Sequence, residues 1–335
     1  NPCYIIAEMS ANHNGNLENA LDIIRAAKDS YADCVKIQAY TPDTMTIDCG
    51  NEYFMINEGT WRGETFYNLY KRAYTPWEWI PVLKKEAYSL GLDFLVTVFD
   101  KSSVDYAQEI GVDFYKIASF ELTDIPLIEY VAKKGKPMII STGMGTIEEI
   151  KSAVDAVWTK NNSNLCLLKC SSAYPANYND MNLSGIKHLK EKFMIPVGFS
   201  DHSLGSLSDV TAVILGANVI EKHFCLDRSI KGPDSTFSME PDEFKSMVID
   251  IRNAQSAIGT AQFGVSPSEE SSKVFRRSIF VVEDILKGDT FTKDNIRVIR
   301  PSYGLEPANY NLVIGKKSAT DIKRGTPLRH EMIEE

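Results

Sequence analysis

Residues 195–223 hold the repeating unit of this chain: Ile195-Pro196-Val197-Gly198-Phe199, an amphipathic stretch from Leu204 to Gly216, then Val219-Ile220-Glu221-Lys222-His223. Two short apolar runs around a helical pattern read as strand, helix, strand. A crossover of that length makes the pairing parallel, and strands covered on both faces need near-continuous apolar runs. Working outward, the same kind of strand recurs at Tyr4 to Glu8, Cys34 to Gln38, Phe94 to Val98, Phe114 to Ser119, Pro137 to Ser141 and Leu165 to Lys169. Amphipathic stretches lie between them at Leu17 to Lys28, Pro76 to Leu90 and Ile147 to Thr159. Eight units in roughly 250 residues fit a closed (β/α)8 TIM barrel. A doubly wound open sheet is the alternative, but no strand leads into the G-x-G-x-x-G turn of dinucleotide folds.

After His223 the pattern changes. A helix from Pro241 to Ile258 leads to a polar link, and from Phe275 onward short segments with turns at Lys287-Gly288-Asp289 and Arg324-Gly325-Thr326 indicate a small β-rich domain. The expected divisions are a barrel over 1–262, a linker over 263–274 and a C-terminal domain over 275–335. One insertion, Thr41 to Thr75, follows the second strand and carries Tyr53, Phe54, Trp61, Phe66, Tyr67, Tyr70 and Tyr74. Its length and aromatic content read as a wall or lid on the substrate side, with a merely packed excursion as the plainer reading.

The chain has 335 residues, 44% hydrophobic and 24% charged, with a net charge of −9. That sign argues against nucleic acid or a membrane surface as a partner. No apolar run approaches the ~20 residues of a membrane span. The start, Asn1 to Ile6, lacks a signal-peptide pattern and also lacks Met, which leaves room for a preceding segment. Cys3, Cys34, Cys49, Cys166, Cys170 and Cys225 form no C-x-x-C pair. Free buried thiols in a reducing cytoplasm are the expectation.

Reactive groups of a (β/α)8 enzyme gather at the C-terminal ends of the strands. Those ends carry Glu8, Lys36 with Gln38, Thr97, Lys116 with Ser119, Ser141, Lys169 with Ser172, Ser200 with His202, and His223. Lysines within apolar runs call for a countercharge, here an anionic ligand with a phosphate or carboxylate; a Schiff-base lysine is the rival reading. Ser141-Thr142-Gly143-Met144-Gly145-Thr146 opens a helix, with Thr146 and Glu149 spaced as a capping box and backbone N–H groups available to phosphate oxygens. His202 and His223 end consecutive strands, within reach of one borderline divalent ion such as Mn, Fe or Zn. Either histidine alone would read as a hydrogen-bonded core residue. Carboxylates near the mouth are Glu8, Asp201, Glu221 and Asp234. Glu8 suits acid–base or water-orienting work, or an ion pair with a mouth lysine. Asp234, on a loop after strand eight, suits sugar hydroxyls. His13 follows strand one as an orienting group, while His188 and His330 read as surface residues.

Ala7-Glu8 with Asn12-His13-Asn14-Gly15, Val35-Lys36-Ile37-Gln38, Lys116-Ile117-Ala118-Ser119, Ser141-Thr142-Gly143-Met144, Tyr174-Pro175, Gly198-Phe199-Ser200-Asp201-His202, Glu221-Lys222-His223-Phe224 and Lys231-Gly232-Pro233-Asp234 follow in that order. Together they resemble the sialic acid synthase family over essentially the whole chain. The tail, with Arg276-Arg277-Ser278 and Ile322-Lys323-Arg324-Gly325, resembles the antifreeze-like (SAF-type) domain of that family. The resemblance implies condensation of phosphoenolpyruvate with an amino-sugar aldehyde and release of phosphate. It places Lys36, Thr97, Lys116, Ser119, Ser141, Ser172 and Ser200 on phosphoenolpyruvate, and Gln38, Tyr174 and Asp234 on the sugar. It places His202 and His223 on a divalent metal, usually Mn2+, with Mg2+ or Co2+ as substitutes. Glu8, Lys36, Lys116, His202 and His223 form the implied catalytic group. A domain-swapped homodimer is also implied, with Arg300 reaching the N-acyl group of the partner's sugar. Ser172 departs from the Asn common in the family.

Arg62-Gly63-Glu64-Thr65-Phe66-Tyr67-Asn68-Leu69-Tyr70 and Ser10-Ala11 look like the branch that takes 2,4-diacetamido-2,4,6-trideoxy-altrose to pseudaminate. The neuraminate and legionaminate branches are the alternatives. A metal-dependent pyruvate aldolase is the rival from another class, and it would release no phosphate.

Overall fold

The computed structural model describes residues 2–334 and divides into two units, the first ending at Gly259 and the second beginning at Thr260. In the first unit eight strands pair in parallel: β1 Tyr4–Glu8, β2 Cys34–Ala39, β3 Asp93–Val98, β4 Tyr115–Ile117, β5 Met138–Ser141, β6 Leu165–Cys170, β7 Val197–Asp201 and β8 Val219–His223. β8 pairs back onto β1 and closes the barrel. The helices are α1 Leu17–Asp29, α2 Pro42–Met45, α3 Phe66–Ala73, α4 Ile80–Ser89, α5 Lys101–Glu109, α6 Ile125–Ala132, α7 Ile147–Trp158, α8 Gly185–Phe193, α9 Leu207–Ile214 and α10 Pro241–Ile258. Several starts are locally encoded. The Asn16 side chain accepts from the N–H groups of Glu18 and Asn19 ahead of α1, and Thr146 and Glu149 cap each other at α7. Apolar stripes such as Ala20, Ile23, Ile24 and Ala27 on α1 pack against outward-facing strand residues, among them Ile5, Val35, Phe94 and Ile220.

Side chains alternate along each strand, and the inward set splits into two layers. Ile6, Cys34, Leu95, Ile139, Leu168 and Val219 form a separate apolar cluster that fills the lower lumen. Two residues further along the same strands stand Glu8, Lys36, Thr97, Ser141, Cys170 and Glu221. Register fixes this upper layer: Glu8 lies opposite Lys36 and His223, Thr97 opposite Gln38 and Lys116, and Ser200 opposite Glu221. One pleat therefore converts a hydrocarbon plug into a charged floor.

Three details differ from the sequence reading. β4 stops at Ile117, and Ser119 opens a 3-10 turn over Ser119–Glu121 instead of ending the strand. The Thr41 to Thr75 insertion is folded into α2, a 3-10 turn at Glu52–Phe54, and α3. Residues 263–274 lie inside the second compact unit, where Pro267–Phe275 coils as a 3-10 helix started by a Ser266–Glu269 capping box. That unit pairs β9 Ser278–Val281 antiparallel with β10 Ile296–Ile299 over a core of Ile279, Val281, Ile285, Phe291, Ile296, Val313, Ile322 and Leu328. Among the described residues no helix is long and apolar enough to cross a membrane.

Candidate active site

The charged floor is built from four groups almost closed to water: Glu8 at 0% exposure, Lys36 at 3%, Lys116 at 2% and Glu221 at 5%. Lys36 Nζ sits 2.8 Å from Glu8 Oε2 and 3.5 Å from Glu221 Oε1, and donates to Thr97 Oγ1 at 3.0 Å. Lys116 Nζ has Glu221 Oε1 at 3.6 Å. Burial works against the Lys36 ammonium, but Glu221 and Glu8 outweigh it and raise its pKa. At Lys116 burial wins and the pKa falls. Burial pushes the Glu8 carboxyl up against the pull of Lys36, while Lys116 and Lys36 override burial and hold Glu221 down. The ion-pair reading of Glu8 with a mouth lysine is thus met at Lys36. Glu8 and Glu221 supply countercharge from within the barrel, fully to Lys36 and at a longer distance to Lys116. Glu221 had no assigned role in the sequence reading, although its place two residues before His223 puts it on the same inward face.

Hydroxyls ring this floor. Gly143 N–H donates to Ser119 Oγ at 3.1 Å, and a Cβ at 143 would lie 2.1 Å from Ser172 Oγ and 2.7 Å from Ser119 Oγ. Only glycine fits there, so the backbone approaches both serines closely. Ser141 Oγ is buried without a partner among the described residues, and Ser200 Oγ donates to Glu221 Oε1 at 3.1 Å. Thr97 accepts from Lys36 and joins Ser119 and Ser141 as hydroxyls whose own hydrogens suit an oxyanion, while that of Ser200 is given to Glu221. Glu121, on the turn after Ser119, was not foreseen. Its Oε2 has no partner among the described residues, and burial pushes the carboxyl up to about 7 despite nearby Lys116.

His202 and His223 come together with ring centroids 5.3 Å apart. His202 Nδ1 faces the Ser171 carbonyl oxygen at 3.0 Å and Cys170 Sγ at 3.8 Å. Burial opposes protonation of His202, but Cys170 and the Ser171 carbonyl raise its pKa. His223 Nδ1 is buried with no partner among the described residues. Burial first, then the neighbouring His202 and lysines, hold that ring neutral. A neutral imidazole with an unshared ring nitrogen beside a second imidazole is a donor pair that fits a divalent metal. Among the described residues no group of three or more His, Cys, Asp or Glu side chains is arranged for a metal, so oxygens from substrate or water would complete the shell. Because Glu8 and Glu221 offset Lys36 and Lys116, a dication at the imidazoles would give the mouth a net positive charge.

On the remaining side, Gln38 Nε2 donates to Glu8 Oε1 at 2.8 Å and to Ser10 Oγ at 3.0 Å. Asp234 is buried and accepts from the Ala11 N–H at 3.3 Å. Tyr174 packs against His202, Phe237 and Trp61 with centroids at 4.4, 5.1 and 5.5 Å. Trp61 Nε1 donates to the Pro233 carbonyl at 2.9 Å, and Thr60 Oγ1 donates to the Tyr174 carbonyl at 2.6 Å. The aromatic insertion is therefore bonded to both loops that carry Tyr174 and Asp234.

Three residues expected near the mouth are elsewhere. Asp201 and Lys169 sit one residue off the inward register; Asp201 bonds Lys222, Ser203 and Ser208 outside the barrel, and Lys169 donates to the Cys170 carbonyl. His13 faces Thr75 Oγ1 at 3.2 Å and accepts from Gly15 N–H at 3.1 Å, and burial lowers it to about 4, so it anchors the end of the insertion. Arg300 belongs to the second unit and is exposed.

Residues 23–263 match the NeuB family and residues 276–334 the SAF domain. The chain is 45% identical to the pseudaminic acid synthase of Campylobacter jejuni over 97% of this chain and 95% of that one. It is 38% identical to the N,N'-diacetyllegionaminic acid synthase of Legionella pneumophila, covering 99% and 95%. The crystal structure of N-acetylneuraminic acid (sialic acid) synthetase from Leptospira borgpetersenii in complex with citrate superposes with a TM-score of 0.73 at 35% identity, covering 81% of this chain and 90% of that one.

Proposed function

The chain belongs to the NeuB family, and from that premise we propose that it condenses phosphoenolpyruvate and water with 2,4-diacetamido-2,4,6-trideoxy-altrose to give pseudaminate and phosphate. The observation that carries the reading is the upper barrel layer, where two buried lysines and a ring of hydroxyls lie beside two adjacent imidazoles. The stronger likeness to a pseudaminic than to a legionaminic acid synthase supports the acceptor.

In this reading Lys36 and Lys116, with Thr97, Ser119, Ser141, Ser172 and Ser200, hold the carboxylate and phosphate of phosphoenolpyruvate above the apolar plug. Gln38, Tyr174 and Asp234 orient the sugar so that its aldehyde carbon faces the methylene carbon. The alkene electron pair forms the new carbon–carbon bond, and the aldehyde oxygen takes up a proton to become a hydroxyl. Water, oriented by Glu8 in the grip of Lys36 and Gln38, adds at the carbon that bears the phosphate and gives up a proton. The C–O bond to phosphate then breaks and phosphate leaves. A divalent metal on His202 and His223, Mn2+ foremost, supplies Lewis-acid activation of the aldehyde.

The wider proposal is a cytoplasmic homodimer in which Arg300 of one protomer contacts the sugar in its partner. The test is phosphate release from phosphoenolpyruvate with Mn2+, offering the diacetamido-trideoxy-altrose and N-acetylmannosamine separately. Release with the former alone is expected, abolished by EDTA and restored by metal. Release with N-acetylmannosamine alone overturns the acceptor, and activity indifferent to EDTA overturns the metal.

A further inference from the structure

Ser10 lies just beyond β1 at φ +45°, in the left-handed region that a non-glycine residue enters at a cost. Its side chain is nevertheless retained, buried at 7% exposure, and its oxygen accepts from Gln38 Nε2 at 3.0 Å. The other proton of that amide goes to Glu8 Oε1 at 2.8 Å. With Lys36 Nζ 2.8 Å from the other Glu8 oxygen, the NH2 end of Gln38 faces Glu8 and Ser10, and both its hydrogens are committed. The carbonyl oxygen of the amide is left for the mouth. On the other side of Ser10 the next residue reaches Asp234, whose Oδ2 accepts from the Ala11 N–H at 3.3 Å; burial raises that carboxyl, and the Ser10 hydroxyl and Ala11 N–H act against it.

We propose that Ser10 is a positioning residue for acceptor recognition, clamping the Gln38 amide and the Asp234 carboxyl so that both present hydrogen-bond acceptors to the N–H and O–H groups of the sugar. The strained turn ties the end of β1 to both neighbours, through the Ser10 hydroxyl to Gln38 on β2 and through the Ala11 N–H to Asp234. This rests on the reading that the sugar lies against Gln38 and Asp234. It adds that the selection for donor groups is set by a residue that does not itself face the substrate.

The test uses Ser10→Gly, which suits the backbone angle and removes only the hydroxymethyl group. With whichever of the two sugars the wild type turns over, the acceptor KM should rise about tenfold, the cost of losing a buried hydrogen-bonded clamp. The KM for phosphoenolpyruvate should change less than about twofold, and the melting temperature should hold or rise. Ser10→Ala should show the same acceptor defect with a lower melting temperature, because it keeps the strain. An acceptor KM unchanged in Ser10→Gly overturns the clamp while leaving the proposed reaction intact. If the wild type releases phosphate with neither sugar, the reaction reading fails. The clamp is then decided by a crystal structure of Ser10→Gly, where a Gln38 amide displaced from Glu8 supports it and one left in place overturns it.

Discussion

Lys116 and Lys222 are both buried lysines near the ends of barrel strands, and their surroundings differ in kind. Lys222 points out of the barrel toward α9, where Asp201, Asp209 at 3.2 Å and the Gly205 carbonyl at 3.0 Å take its three hydrogens. Burial opposes its charge, but Asp209 and Asp201 raise its pKa. Lys116 points into the lumen with one carboxylate within 4 Å among the described residues, at 3.6 Å, and burial lowers its pKa. Burial of a charge is therefore not a mark of function. The mark is hydrogen-bonding capacity that the protein itself leaves unused.

The largest expected effect separates the two sites by activity. Lys116→Met should lower kcat/KM for phosphate release by about a thousandfold or more, roughly 4 kcal/mol, and shift stability by no more than about 1 kcal/mol. A variant that unfolds instead would place Lys116 with the structural lysines. Lys222→Met reverses the pattern: two aspartates lose their cation, and urea denaturation should report a loss of about 3–5 kcal/mol. Wild-type stability in that variant would break the comparison from the other side.

Glu121 sharpens it with the opposite charge. Its folded pKa of about 7 lies above the ordinary 4.5, so the folded state binds a proton that the unfolded state has released between those values. Ionisation thus costs stability increasingly from about pH 4.5 to 7, and the full penalty stands above 7. Glu121→Gln should be more stable than wild type by about 2 kcal/mol at pH 8, with the gain gone near pH 4. A pH-independent difference would show that burial is not the cause. The smallest effect belongs to His13, whose two ring nitrogens both have partners. Thr75→Val should cost about 1 kcal/mol in thermal or urea unfolding and leave the KM values unchanged; a changed acceptor KM would return His13 to the mouth.

The barrel was legible because its strands are short, apolar and separated by helices with encoded caps such as Thr146 and Glu149. The upper layer was legible for the same reason: Glu8, Lys36, Lys116 and His223 are polar residues inside apolar runs, and such residues need partners. Adjacency to a motif points Asp201 and Lys169 toward the mouth, but strand parity decides where they face. Their neighbours Ser200 and Leu168 face inward, so they face out. Glu221 and Glu121 went unassigned because the partner of a buried charge lies on another strand, and sequence separation hides it. The insertion showed its aromatic character but not which ring would matter. Trp61 stands out only once its indole N–H is seen bonded to the loop that carries Asp234.

The crowding at Gly143 has a practical meaning for anyone diversifying this catalyst. A methyl group there would collide with Ser172 and Ser119, whereas a side chain at Gly50, in the insertion, would meet nothing within 4 Å. Position 143 is thus closed to larger side chains by its two serine neighbours, while Gly50 is exposed and a side chain there meets only solvent. A library of variants should therefore hold Gly143 constant and place its first substitutions in the insertion, around Gly50.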